Sequence, residues 1–185
     1  MFLILWAVVA VALVAVVIAV AAYQTRAITP ALVLPPGETL PPTRLQRLVR
    51  WSLVLGLILM AVAGVVIAAV GPIQYFDDDT VRLAVTVLLI ASLFVLAAPS
   101  ATAGVWAIRG DEILDERERA ILARAPAGQA GAILVVLAVW VIALQESYRG
   151  EAGIPHVYLY LVFWSCLLVS LVASNVGILL GYRRS

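Results

Sequence analysis

The chain has 185 residues, of which 64% are hydrophobic and 12% charged, and its mean hydropathy is +1.10. Soluble domains carry about 25% charged residues, so this composition excludes an ordinary soluble protein and is typical of a chain that lies in a membrane. The net charge of +1 provides no basic surface field, which argues against nucleic acid as a partner.

Few residue types are available for chemistry. The single cysteine, Cys166, lies in an apolar run, so no disulfide or cysteine metal cluster can form within the chain. All twelve basic residues are arginine, which excludes Schiff-base chemistry and a phosphate-loop lysine. We interpret Cys166 as a packing residue, and we expect no enzyme activity and no cofactor.

Five apolar segments reach the length of about 20 residues that a helix needs to cross the hydrocarbon core. They are 1–22, 51–70, 81–108, 125–144 and 157–180. Between the first two lies a proline-rich linker, 23–50, whose last part, 43–50, has an arginine every third residue. This pattern predicts a short basic helix at the membrane surface, which serves either to contact anionic lipids or only to fix the topology.

A polar segment, 109–124, separates the third and fourth apolar segments and holds nine of the 23 charged residues. Its carboxylates have the spacing seen where Mg²⁺ is held against phosphates, but the other acidic run, 77–79, would lie on the opposite face of the membrane. Arginines that can neutralise these carboxylates follow at once, and Ile121 and Leu122 supply an apolar stripe. We therefore predict an amphipathic cytoplasmic helix, with a Mg²⁺-phosphate enzyme as the alternative.

The same segment carries a family resemblance. Asp115-Glu116-Arg117-Glu118-Arg119-Ala120-Ile121, followed by Arg124 and an apolar span, resembles the loop of small uncharacterised prokaryotic multi-span membrane proteins. The likeness covers roughly twenty residues. It implies that the protein comes from a prokaryote, and it implies no activity.

The distribution of arginines predicts the orientation of the chain. One side of the predicted membrane receives ten of the twelve: Arg26, Arg44, Arg47, Arg50, Arg109, Arg117, Arg119, Arg124, Arg183 and Arg184. The other side receives only Arg82 and Arg149. Because arginine-rich loops stay in the cytoplasm, we predict an all-α protein of five transmembrane helices, N-out and C-in, in the prokaryotic inner membrane.

A shift of 74 positions aligns Arg50 with Arg124, Arg82 with His156 and Arg109 with Arg183 without a gap. This register suggests a 2+2 parallel repeat of two hairpins, as in some transporters. Two unrelated hairpins of similar size are the alternative.

Two groups of residues are candidates for function. The predicted outer loops carry Asp77, Asp78, Asp79, Glu151 and His156, whose side chains could bind a divalent cation if the loops met. We expect instead that these side chains are solvated. Small residues recur at helix-packing intervals in the spans: Gly56, Gly64, Gly131, Ser170, Ser174, Gly177 and Gly181. These faces either close the bundle or receive a partner.

No Asp, Glu, Arg or His lies near the middle of a predicted span, which disfavours proton- or ion-coupled transport. The sequence therefore predicts a non-enzymatic accessory or structural subunit of a membrane complex, which contacts lipid and either other subunits or copies of itself. The alternative is a channel or facilitator for a small uncharged solute, with Pro99 as a bend and hydroxyl side chains as its lining.

Overall fold

A computed structural model of the chain describes residues 43–109, 116–125, 127–149 and 153–184. These residues form six helices and no strand, so the predicted all-α class is confirmed for this part of the chain. The helices are α1 (Arg44–Val70), α2 (Pro72–Asp77), α3 (Asp79–Arg109), α4 (Glu116–Arg124), α5 (Ala127–Ser147) and α6 (Val157–Arg184). The predicted first span, 1–22, and most of the linker lie outside the described residues.

Within the described residues, four stretches are long and apolar enough to cross a membrane, as expected of a multi-pass membrane protein. They are α1, α3, α6 and the stretch Glu116–Ser147, which contains α5. Such sequences form helices in a membrane because a helix pairs its own backbone N–H and C=O groups, and lipid tails offer these groups no hydrogen-bond partner. The helices extend beyond the predicted spans at several ends; α1, for example, begins at Arg44, so the basic segment continues into the span as one helix.

The helices form two antiparallel hairpins, α1 with α3 and α5 with α6, and α6 also contacts each of the other described helices. Near one end of the bundle, buried Leu45, Val49, Ala125, Ile178 and Tyr182 share an apolar cluster. We call this the arginine end, comprising residues 43–50, 116–125 and 178–184. The other end, comprising residues 71–82 and 144–160, is called the aromatic end.

The connection at the aromatic end contains a short helix. Gly71 ends α1 with φ of 93°, a backbone conformation that favours glycine, and Pro72 begins the one-turn helix α2. Tyr75 on α2 is fully buried in the main apolar cluster. The loop therefore contributes to the core, and it holds the first hairpin against α6.

Candidate functional site

A chain of hydrogen bonds joins three segments at the arginine end. The Tyr182 hydroxyl on α6 donates to Glu118 Oε1 on α4 over 2.6 Å. The Thr43 hydroxyl in turn donates to the Tyr182 oxygen over 3.2 Å, while Thr43 Oγ1 accepts the Gln46 amide and so caps α1. The start of α1, the polar helix α4 and the end of α6 are thus tied together.

Arg117 adds a second link between α4 and α6. Its guanidinium donates to the backbone carbonyl of Tyr182 over 3.3 Å and lies 5.9 Å from the centroid of the Tyr182 ring. Carbonyls in the last turn of a helix lack donors from within the helix, and a cation there also complements the helix dipole. Arg117 therefore stabilises the end of α6.

Helix α4 is docked on the bundle through a buried carboxylate. Ile121 and Leu122, which were predicted to form an apolar stripe, pack against the apolar cluster at this end. Glu118, only 4% exposed, lies on the same face because it precedes Ile121 by one turn. The charges of this segment were predicted to pair with one another on a solvated face, and this prediction is wrong for Glu118, whose spacing to Ile121 and Leu122 indicates burial. Asp115 and the rest of 110–115 lie outside the described residues.

A second set of hydrogen bonds lies inside the bundle, beside Pro99. Proline has no amide hydrogen, so Pro99 leaves the carbonyl of Val95 without its usual helical donor. The Ser52 hydroxyl of α1 donates to this Val95 oxygen over 2.9 Å. One residue further along α3, the Leu96 oxygen accepts the amide of the fully buried Asn175 of α6, also over 2.9 Å. Two neighbouring helices thus supply donors at the proline.

Other hydroxyls of the predicted pore lining also bond to backbone or side chains. Ser92 and Thr102 donate to the carbonyls of Leu88 and Ala98, four residues earlier in α3. Ser170 donates to the Leu167 carbonyl, and Ser165 accepts the Trp140 indole over 2.7 Å. Within the described chain, Asn175 Oδ1 is a buried oxygen without a hydrogen-bond donor. Ser165 thus joins α5 to α6, whereas Ser92, Thr102 and Ser170 bond within their own helices.

At the aromatic end, Asp78 and Asp79 make contacts in the first turn of α3. Asp78 Oδ1 accepts the amides of Thr80 and Val81 and so caps α3. Asp79 pairs with Arg82, whose guanidinium also donates to the Phe76 carbonyl over 2.9 Å and lies 5.5 Å from the Phe76 ring centroid. The three carboxylates are exposed and are engaged locally or solvated.

The proposed outer cation site is not assembled by the residues described. His156 is exposed and packs edgewise on Phe76, with ring centroids 5.0 Å apart. Among residues 43–109, 116–125, 127–149 and 153–184, no three His, Cys, Asp or Glu side chains lie close enough to share a metal ion. Glu151, the remaining candidate, lies outside the described residues.

Hydroxyl groups from α2, α3 and α6 lie near one another at the aromatic end. Thr86 and Tyr160 share a hydrogen bond of 2.8 Å, and Thr86 also donates to the Arg82 carbonyl. The Tyr75 hydroxyl is buried without a hydrogen-bond partner in the described structure. Burial raises the pKa of the Tyr75 phenol above its usual range, and the neighbouring Tyr160 raises that pKa further.

The small residues singled out in the sequence divide into packed and open positions. A Cβ on Gly56 would lie 2.5 Å from Leu96 Cγ, and one on Gly181 would lie 2.8 Å from Ile121 Cγ2, so both glycines allow close helix approach. A Cβ on Gly177 would make ordinary contact with Ala125. Ser174 is buried, whereas Gly131 and Ser170 are half-buried.

Gly64 differs from these positions. It is exposed, and apart from its chain neighbours and the backbone of its own helix no described atom lies within 4 Å of where its Cβ would be. Ala61 and Ala68, on the same side of α1, are exposed as well. Gly64 therefore packs against no other described helix, and the two predicted uses of its face, closing the bundle and receiving a partner, both stay predictions.

The arginines used to predict topology gather at one end of the bundle. Arg44, Arg47, Arg50, Arg119 and Arg124 are exposed there, and Arg117 is half-buried against Tyr182. Helix α3 also ends at this side, at Arg109, and so does α6, at Arg183 and Arg184.

Neither a known protein family, nor a curated protein, nor a solved structure matches the chain.

Proposed function

We propose that this chain is a non-enzymatic accessory or structural subunit of a prokaryotic membrane protein complex. The observation that carries the proposal is the contrast between its two kinds of small-residue position. Side chains of the chain itself pack against Gly56 and Gly181, whereas Gly64 lies with Ala61 and Ala68 on a face of α1 that no other described helix covers. Small residues on such a face let a second helix approach closely in lipid.

The use of the interior polar groups supports assembly over transport. Ser52 and Asn175 bond to the carbonyls beside Pro99, and Ser92 and Thr102 bond within α3. A facilitator for a small uncharged solute needs such groups to face a water-filled path. The facilitator is therefore the second candidate, favoured only by the number of hydroxyls in α3 and α6 and by the buried Asn175 oxygen that has no donor in the described chain.

The same proposal includes the topology. Five transmembrane helices, with the N-terminus outside and the arginine end in the cytoplasm, place the exposed Arg44, Arg47 and Arg119 where short arginine-rich segments are retained. The location is the prokaryotic inner membrane, as the resemblance of the loop around Glu116 implies. We also propose the 2+2 repeat. A shift of 74 positions aligns Thr86 with Tyr160, and these two residues contact each other, as equivalent residues near a two-fold axis would.

Orientation is tested by labelling single cysteines with a membrane-impermeant maleimide in intact cells. In a Cys166→Ser background, a cysteine at exposed Asp77 should react from outside, and one at exposed Glu116 only after lysis. The reverse pattern would contradict the proposed orientation.

Association is tested by extracting the chain from its own membrane in polymer-bounded nanodiscs. The proposal predicts a particle heavier than one chain, with a partner present in fixed ratio to it. Gly64→Leu should remove that partner, because a large side chain fills the open face. The matched control is Val65→Leu at the neighbouring exposed position, which should leave the partner bound.

A particle that contains only one chain, in both the unmodified protein and the control, would argue against an accessory subunit. Reconstitution into liposomes then addresses the second candidate. A facilitator should let the vesicles take up small uncharged solutes with no other protein present, whereas an accessory subunit should not.

A further inference from the structure

Three arginines lie on the outer side of the first two turns of α1. Arg44, Arg47 and Arg50 are all exposed, whereas Leu45 and Val49 on the opposite side are buried. We call these three residues the arginine stripe. Because the basic segment and the span form one continuous helix, the stripe continues directly into an exposed apolar face that includes Val54 and Ile58.

No carboxylate neutralises this stripe within the described chain. The sequence from Thr43 to Phe76 contains neither Asp nor Glu. Among the described residues, the ion pairs join Arg82 to Asp79 and Arg149 to Glu146, both near the aromatic end. Glu118, which belongs to the adjacent α4, is buried and accepts the Tyr182 hydroxyl, so its carboxylate is directed into the bundle.

The stripe is also held in a fixed position. Thr43 immediately precedes it, caps α1 and donates to Tyr182, which connects the first turn of α1 to α6. Trp51 follows the stripe and is 74% exposed, as suits an indole at the boundary between lipid and water. A positively charged, ordered surface thus meets an apolar belt at the level of a tryptophan.

We propose that the arginine stripe is a binding surface for the headgroups of anionic phospholipids. The arginines supply three guanidinium groups to phosphate oxygens, and the exposed apolar face below them accommodates the acyl chains. The preference is for charge, so phosphatidylglycerol binds here in preference to phosphatidylcholine. This inference concerns the lipid around the chain and holds whether or not a protein partner occupies the Gly64 face.

The test uses Trp51 as a reporter in the purified full-length chain, reconstituted into phosphatidylcholine bilayers. Dibrominated phosphatidylglycerol or dibrominated phosphatidylcholine is added in steps, and the quenching of tryptophan fluorescence is compared with that of the Trp51→Phe variant. The difference between the two proteins isolates Trp51. We expect phosphatidylglycerol to bind near Trp51 several-fold more strongly than phosphatidylcholine at low salt, and the preference should weaken in 0.5 M salt.

Replacing Arg44, Arg47 and Arg50 together by Gln should bring the ratio of the two binding constants close to one, since each arginine contributes up to roughly fivefold. The triple replacement by Lys should retain the preference, and Arg149→Gln at the other end should not change it. If the triple Gln variant does not fold, as judged by circular dichroism, the three single Gln variants should each lower the ratio. Equal quenching by the two lipids in the unmodified chain, or a preference that survives these Gln variants, would overturn the proposal.

Discussion

The hydroxyl of Tyr182 lies 2.6 Å from the carboxylate of Glu118, although 64 residues separate them in the chain. Tyr182 lies near the end of α6, and Glu118 is in the first turn of α4, so the bond connects the polar helix between two spans to the last helix. A buried carboxylate needs hydrogen-bond donors to offset the loss of water. This pair therefore has a measurable role in holding α4 on the bundle.

Tyr182→Phe should lower the free energy of unfolding by about 1.5–3 kcal/mol, the usual range for a hydrogen bond to a charged group. The measurement is unfolding in mixed micelles with increasing sodium dodecyl sulfate, followed by circular dichroism. Limited proteolysis within 116–125 should also become faster, because α4 loses a contact with α6.

Tyr75→Phe is the matched control for this variant. Tyr75 is also a fully buried tyrosine, but its hydroxyl has no hydrogen-bond partner in the described structure. Removing that hydroxyl should change the free energy of unfolding by less than about 0.5 kcal/mol, or raise it slightly. Equal losses in the two variants would show that both report only the packing of the ring.

Tyr75 also predicts a dependence of stability on alkaline pH. Its pKa is raised in the folded chain, mainly by burial and also by Tyr160, so the folded protein retains a proton that the unfolded chain releases above about pH 10. The stabilisation is complete below the unfolded pKa and is lost as pH rises from there through the folded pKa. For this one group the slope approaches about 1.4 kcal/mol per pH unit.

The measurement is the free energy of unfolding between pH 8 and pH 11.5 for the unmodified chain and for Tyr75→Phe. The variant should lose less stability over the alkaline part of this range, and the two curves should be parallel below pH 9. Curves that stay parallel throughout would assign the alkaline loss to the other tyrosines.

The positions of the long helices could be predicted because each depends on a local property, the length of an apolar run. Pairings such as Ser52 with Val95 or Asn175 with Leu96 could not, since 43 and 79 residues separate the partners. They depend on which helices pack together and at what depth. The burial of Glu118 was missed for a different reason: a charge beside other charges suggests a solvated helix face, and only its register with Ile121 indicates otherwise.

The two glycines of α1 predict opposite responses to the same substitution. Gly56→Ala places a methyl group 2.5 Å from Leu96 Cγ, so Leu96 or the helix must move, which should cost about 1–3 kcal/mol of stability. Gly64→Ala adds a methyl group on an open face and should be neutral or raise stability by up to about 1 kcal/mol, through helix propensity. Detergent unfolding of both variants measures the difference, and a loss at position 64 equal to that at 56 would contradict the packing described.

The hydrogen bond from Ser52 to Val95 exists because Pro99 lacks an amide hydrogen, and this dependence predicts that the two substitutions are not additive. Ser52→Ala alone should lower the free energy of unfolding by about 1 kcal/mol, since it leaves the Val95 carbonyl without a donor inside the bundle. In a Pro99→Ala background the new alanine amide can donate to Val95, so the same Ser52→Ala change should cost little.

A double-mutant cycle over Ser52 and Pro99 therefore yields a coupling energy of about 0.5–1 kcal/mol. The cycle of Ser92→Ala with Pro99→Ala is its control, because Ser92 donates to Leu88, whose carbonyl is not the one that Pro99 leaves without a donor. Coupling in the first cycle and additivity in the second would identify the carbonyl released by Pro99 as the reason for a serine at position 52. Additivity in both cycles would mean that the Ser52 hydroxyl contributes through packing alone, and that the Val95 carbonyl is satisfied in some other way.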